Sequence, residues 1–443
     1  MRKNHMSLFI ALILALTTVL GCLPAQAEEQ IVLKWYTESD ENTNKAYGWP
    51  EVVAEYERLH PNVKIDLQPL VANTNSAEYA KKVDLMLASD QPIDIIGFSG
   101  AGALVQKVEA GVLAPLDEYA KASGINLDEE YYDLFRINDK VYSLPGSKAA
   151  YMVFINEDML KEAGLPIPPR DWTWADYAEY AKAMTKGEGR DKVYGSYFHT
   201  WTDFYQIGTL GVIPDNMFYK EDGSANFDHP AFRTWMDYIN TMENVENYQM
   251  SYMDIKTQNI SYRNLFFNGK IAMLPMGTWM LSDIKNVEKY PHTFRTVFAT
   301  LPRFDESTPA NTTINTAYGA GYAVNANCKY KQEAFDFLYF LTTKGRDMSQ
   351  SFLSPWNHAD HEAIASNIMG SDTSLYDIQS YMAVMEDPEI RFNNKIYVPL
   401  YDAEINGALQ EEAEKYLAGG QTLDQMIETL QRRATGIIER YAK

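Results

Sequence analysis

The chain has 443 residues, with 60 acidic side chains against 39 basic ones and a formal charge of −21. So acidic a surface excludes nucleic acid and anionic lipid as partners, since both demand basic patches, and it suits a neutral ligand better than a strongly anionic one. The length allows two domains with well-buried cores. Of 30 tyrosines and 8 tryptophans most must be core, while a minority suit a cleft where a flat amphipathic ring meets a hydroxylated ligand.

Arg2 and Lys3 precede an apolar run from Leu8 to Leu20 that is short for a membrane span, so residues 1–27 read as a targeting segment outside the fold. Val19-Leu20-Gly21-Cys22 resembles a lipobox, whereas Ala25-Gln26-Ala27 fits simple cleavage. Lipidation at Cys22 is the preferred reading, placing the mature protein outside the cytoplasm, in the periplasm or on the outer face of the membrane. Cys328 is then the one remaining cysteine. It can form neither an internal disulfide nor a zinc cluster, and it reads as a small buried apolar residue.

In chain order, Ile31 to Trp35 reads as a strand, followed by a polar loop from Thr37 to Asn44. A helix from Trp49 to Leu59 stops at Pro61, then come a strand at Val63 to Leu67 and a helix at Tyr79 to Ala88. Ile93 to Phe98 is a short strand ending in Ser99-Gly100-Ala101-Gly102. Such alternation predicts βα units around a mostly parallel sheet. Ligands sit outside the carboxyl ends of such strands, which directs attention to the loops after Tyr36 and Phe98.

The stretch from Pro145 to Thr185 predicts strand, helix, rigid linker and helix in turn. The apolar run around Tyr151, Val153, Phe154 and Ile155 stops at Asn156, a helix cap, and the helix it opens ends at Gly164. Pro166, Pro168 and Pro169 bar helix continuation, and Thr173-Trp174-Ala175-Asp176 matches a capping box. Trp172 and Trp174 read as the structural staple of this element. Further on, Phe266 to Met273 leads into Met276-Gly277-Thr278-Trp279. Ala317 to Val324 reads as a strand, Glu333 to Thr342 as a helix, and Gly419-Gly420-Gln421-Thr422-Leu423-Asp424 precedes a long final helix.

Taken together, these five pieces resemble the family 1 extracellular solute-binding proteins, the ligand-capturing subunits of ABC importers. The Phe266 to Trp279 segment is similar to that family's "f-x-x-G-k-a-A-M … G-x-W" element. The resemblance covers essentially the whole mature chain. It implies an α/β fold of the two-lobed periplasmic-binding-protein type, with an interlobe cleft and hinge crossings. One lobe would hold 28–147 plus 319–370, the other 148–318 plus 371–443. It further implies a non-enzymatic monomer without cofactor or metal. Such a protein captures a mono- or oligosaccharide by hinge closure and delivers it to the permease subunits. A ligand sensor for a membrane receptor and a glycan-processing enzyme stay open as alternatives, because fold alone does not separate them.

The candidate ligand contacts follow partly from the same resemblance and partly from the carboxyl ends of the predicted strands. Trp279, after Gly277, would present an indole face. Glu38 and Asp40 would accept hydrogen bonds from sugar hydroxyls. Ser99 and Gly100 would offer backbone N–H groups where strand turns into helix. Trp201 and Asp203, Tyr318, and Trp356 with Asn357 complete the set. Asp94 reads as a structural hydrogen bonder at a strand entry. Gly97-Phe98-Ser99-Gly100 lacks the G-x-S-x-G spacing of a nucleophile elbow. His358, Asp360, His361 and Glu362 lack H-E-x-x-H spacing and read as a solvated loop.

Overall fold

The computed structural model describes residues 29–441 apart from 73–75, 214–217, 259–260, 315–319, 350 and 394–398. The targeting segment with Cys22, and Tyr318, lie outside the described residues. No helix among the described residues is long and apolar enough to cross a membrane.

Two sheets organise the chain. The first has five strands in the order Val63–Pro69, Ile31–Thr37, Ile95–Ser99, Ala320–Val324 and Leu144–Pro145. Its first three strands run parallel and come from the βα alternation read above, while Ala320–Val324 is antiparallel to both neighbours. Asp94 locks the parallel pair at its entry. The Lys34 N–H donates to its carboxylate at 2.8 Å, and its own N–H donates to the Lys34 carbonyl at 3.1 Å. At the other end, the buried Tyr79 hydroxyl donates to the Tyr36 carbonyl (3.1 Å) and accepts from the Gly97 N–H (3.0 Å). It clips together the carboxyl ends of two strands.

The second sheet has four strands, ordered Thr296–Ala299, Tyr151–Asn156, Ile271–Gly277 and Tyr194–Ser196. Here the parallel arrangement of the first sheet does not continue. Tyr151–Asn156 is antiparallel to both neighbours, because the chain enters this sheet from the first one and starts its strand at the cleft. Every residue of Tyr151–Asn156 and of Ile271–Gly277 is buried, which explains the unbroken apolar runs.

The Pro145–Thr185 element forms as its sequence dictates. The Asn156 side chain accepts from the Met159 N–H at 3.2 Å and opens helix Glu157–Glu162. Gly164 takes φ +70° while the Leu165 N–H reaches the Leu160 carbonyl at 3.0 Å, the glycine-terminated helix end. Thr173 and Asp176 satisfy each other's backbone N–H groups and open helix Trp174–Met184. Trp172 is 1% exposed and donates through Nε1 to the Thr300 carbonyl at 3.0 Å.

Packing separates the two sheets into distinct cores. One joins residues from Ile31–Leu144 with Val324–Leu341, with a smaller cluster on its other face that includes Tyr79, Leu104 and Ala323. The other runs from Ala150 to Leu301 and resumes with Leu353 through Ile437. Cys328 is buried in the first core, and burial, with Asp94 close by, pushes its thiol up to about 12.

Candidate functional site

A cavity of about 650 Å³ lies between the two sheets. Its first wall comes from the carboxyl ends of the parallel strands: Tyr36, Thr37, Glu38 and Ser39 after one, Gly97, Phe98 and Ser99 at the end of the other. This is where strand order and direction change in the first sheet, the switch-point location. The facing wall carries Tyr151, Trp201, Asp203, Tyr262, Arg263, Thr278 and Trp279. The bridging segments supply the floor: Gly146–Ala149, Ala320–Tyr322, Arg346, Phe352 and Leu353.

Trp279 owes its position to Gly277. A Cβ at Gly277 would lie 2.0 Å from the indole, so only a hydrogen there lets the ring fold back over its own strand. The half-buried ring is then held by Tyr151 at 5.6 Å edge-on, by Trp201 at 6.0 Å, and by an Nε1–H donated to the Tyr262 hydroxyl at 3.2 Å. Trp201, at 39%, is the most exposed of the described tryptophans. It packs edge-on against His199 at 4.4 Å. Burial, with Lys256 and Arg263 nearby, pulls that imidazole down to about 4, so it is neutral at neutral pH. The buried Tyr151 hydroxyl donates to the Asp203 carboxylate at 2.9 Å. Desolvation, reinforced by that carboxylate, holds the phenol well above its ordinary value. The wall therefore joins flat apolar faces to a carboxylate, a neutral phenol and hydroxyls, the mixture that suits a polyhydroxylated ring.

Of the expected contacts, the fold brings together Glu38, Ser99, Trp201, Asp203 and Trp279. Others lie elsewhere. Asp40 accepts from the Thr43 N–H at 2.8 Å and caps helix Glu41–Ala46, where the sequence suggested only a loop. Gly100 is outside the cavity lining and precedes helix Ala101–Glu109. Trp356 donates through Nε1 to Glu130 at 2.7 Å, and Asn357 donates through Nδ2 to the Glu129 carbonyl at 3.0 Å, so both tie a loop to the first core's edge. Asp360 caps helix His361–Met369 by accepting from the Ala363 N–H at 3.0 Å.

Several lining residues carry no local signal. Tyr47, Trp49, Tyr322, Arg346 and Phe352 are far apart in sequence and converge because the chain crosses between sheets more than once. Two of these crossings touch at Gly146 and Gly321. A Cβ on Gly321 would meet the Leu144 carbonyl oxygen at 2.0 Å, and the Gly146 N–H donates to the Ala320 carbonyl at 3.2 Å. Lys148, in the same crossing, is fixed by its N–H to the Leu353 carbonyl (3.1 Å) and by its Nζ to Glu386 (3.0 Å).

Two sheets with separate cores, joined by crossing segments around a shared cleft, define a two-lobed binding-protein fold. The family model described as bacterial extracellular solute-binding protein matches residues 40–347, and the chain belongs to that family. It is 22% identical over 355 residues to a multiple sugar-binding protein of Streptococcus mutans, covering 75% of this chain and 77% of that one. To the sn-glycerol-3-phosphate-binding periplasmic protein of Escherichia coli K12 it is 24% identical over 210 residues, 43% of this chain and 46% of that protein. A crystal structure described as a sugar transporter from Rhizobium etli, in an open conformation, superposes with a TM-score of 0.72 at 26% identity, covering 92% of this chain and 99% of that one.

Proposed function

We propose that the protein captures a carbohydrate in the interlobe cleft by hinge closure and presents it to the membrane subunits of an ABC importer. The observation that carries this reading is the Trp201–Trp279–Tyr262 aromatic wall facing Glu38 and Ser99 across one cavity. Sugar C–H faces stack on indole and phenol rings, while Glu38, Asp203 and the hydroxyls take the directional hydrogen bonds. The Streptococcus mutans and Rhizobium etli relatives carry sugar-related names, which supports the same substrate class.

In this reading the lobes follow the two cores. The first lobe ends near Pro145, resumes at Ala320 and closes between Leu341 and Leu353, earlier than a boundary at residue 370. Ligand shifts the open–closed equilibrium only through its greater affinity for the closed form. At about 0.3 kcal/mol per heavy atom, a disaccharide of ~23 atoms gains about 7 kcal/mol, a dissociation constant near ~10 µM. Binding followed by release needs no catalysis, so the ligand leaves unaltered. Acylation at Cys22 tethers the mature chain to the membrane, each buried methylene contributing about 0.8 kcal/mol. Cys22→Ser would release it into the medium or periplasm.

A thermal-shift screen over sugars, polyols, phosphate esters and peptides tests the ligand class. A saccharide at about 100 times its dissociation constant adds ~2.7 kcal/mol of stability. A melting point that responds to peptides or phosphate esters and to no saccharide refutes the reading.

A further inference from the structure

Three cationic side chains line the cavity, and two have carboxylate partners: Lys148 Nζ lies 3.0 Å from Glu386, and Arg263 Nε lies 2.6 Å from Asp283. Arg346 differs. It is 2% exposed, and no carboxylate among the described residues lies within ion-pair distance of it. Its Cζ lies 4.7 Å from the Trp49 ring centre and 5.1 Å from that of Phe352, two rings only 6° from parallel. Nη2 reaches the Tyr322 hydroxyl at 3.4 Å, while Nε and Nη1 have no hydrogen-bond partner. Burial lowers the pKa from its ordinary value, yet a guanidinium stays charged in proteins. An uncompensated buried cation is costly, and this one sits in the wall of a ligand cavity in a protein of net charge −21.

We propose that the ligand carries a carboxylate and that Arg346 is its partner, so that the site takes an acidic saccharide of the uronic-acid class. This deepens the saccharide reading above and rests on it. Trp49 and Phe352, with ring centres 6.5 Å apart, pack beside the guanidinium and supply no acceptor to Nε or Nη1, the kind of donor pair that a planar carboxylate matches. Charge balance favours carboxylate over phosphate. One orphan cation matches one monoanion, whereas a phosphate ester brings a charge of roughly −1.5 to −2 and would leave negative charge buried on closure. The neutral hydroxyls of the same saccharide remain for Glu38 and Asp203.

Calorimetric titration of the unmodified mature protein with galacturonate and glucuronate oligosaccharides, each beside its neutral methyl ester, decides the matter. The acid of the cognate pair binds about 30-fold or more tightly than its ester, the scale of a hydrogen bond to a charged group. Arg346→Met removes that discrimination, bringing acid and ester to the same affinity, while the ligand-free melting temperature is unchanged or raised; Arg346→Lys retains part of it. Equal affinity for acid and ester overturns the inference and leaves the saccharide reading standing, as does binding confined to neutral sugars. Binding of glycerol phosphate with none of any saccharide overturns both. Because the acid–ester comparison uses the unmodified protein, it decides even if Arg346→Met does not fold.

Discussion

Two pairs of tryptophans in the second lobe occupy opposite situations. Trp172 precedes a capping box after a proline-rich linker and Trp174 lies within it; they are 1% and 4% exposed. Trp172 has a backbone acceptor for its Nε1, and Trp174 packs 4.6 Å from Trp235. Trp201 and Trp279 lie 6.0 Å from each other, open to the cavity, with one of them 39% exposed. The residue type is the same and the surrounding backbone differs. A rigid linker and a capped helix press the first pair into a core, whereas Gly277 leaves room for the Trp279 ring to fold back over its own strand and meet Trp201 in the cavity wall. The first pair is therefore expected to act on stability and, in the proposed reading, the second on ligand.

Substitutions break this comparison cleanly. The largest effect is expected for Trp172→Ala, which leaves a cavity and an unmatched Thr300 carbonyl. It should lower unfolding free energy by about 3–5 kcal/mol in denaturant titration and change affinity little. Trp279→Ala should do the reverse, weakening saccharide binding by about 2–3 kcal/mol in calorimetry with a nearly unchanged ligand-free melting point. A collapse of the fold instead would place Trp279 with the scaffold.

Glu243 sharpens the comparison through pH. It is 3% exposed, beside the wall that carries His199, and it accepts from Gln249 Nε2 (3.0 Å) and the Tyr252 N–H (2.9 Å). Burial outweighs these bonds and raises its pKa to about 7. Between the ordinary carboxylate value and about 7 the folded protein holds a proton that the unfolded chain has released. Stability conferred by this group is therefore complete at low pH and falls as pH rises through that window, at up to about 1.4 kcal/mol per pH unit. Glu243→Gln should flatten this slope in pH-dependent unfolding without altering ligand selectivity. The smallest effect belongs to the capping box. Thr173→Ala should cost about 1 kcal/mol, visible as a modest drop in melting temperature with unchanged binding.

Local signals carried most of the scaffold. Asn156, Gly164 and the Thr173–Asp176 pair formed the caps their side chains allow, because capping is a contact between residues three or four apart. Helix Trp49–Leu59 ran as its stop at Pro61 required. The site was legible only where a motif reported it, as in Gly277-Thr278-Trp279, or where a strand's carboxyl end pointed to it, as at Glu38 and Ser99. Asp40, Trp356 and Asn357 have residue types fit for a ligand, but nearby backbone and Glu130 claim them.

By itself, then, the sequence determined most of the elements and the two-lobed class, since these rest on contacts between near neighbours and on a family resemblance. Tertiary structure alone decided the antiparallel entry of Tyr151–Asn156 and the touching glycines of the crossings. It also decided that Arg346, a residue in an unremarkable helix, ends beside Trp49 and Phe352. Whether a buried charge is paired depends on atoms hundreds of residues apart in the chain, and no local pattern encodes that.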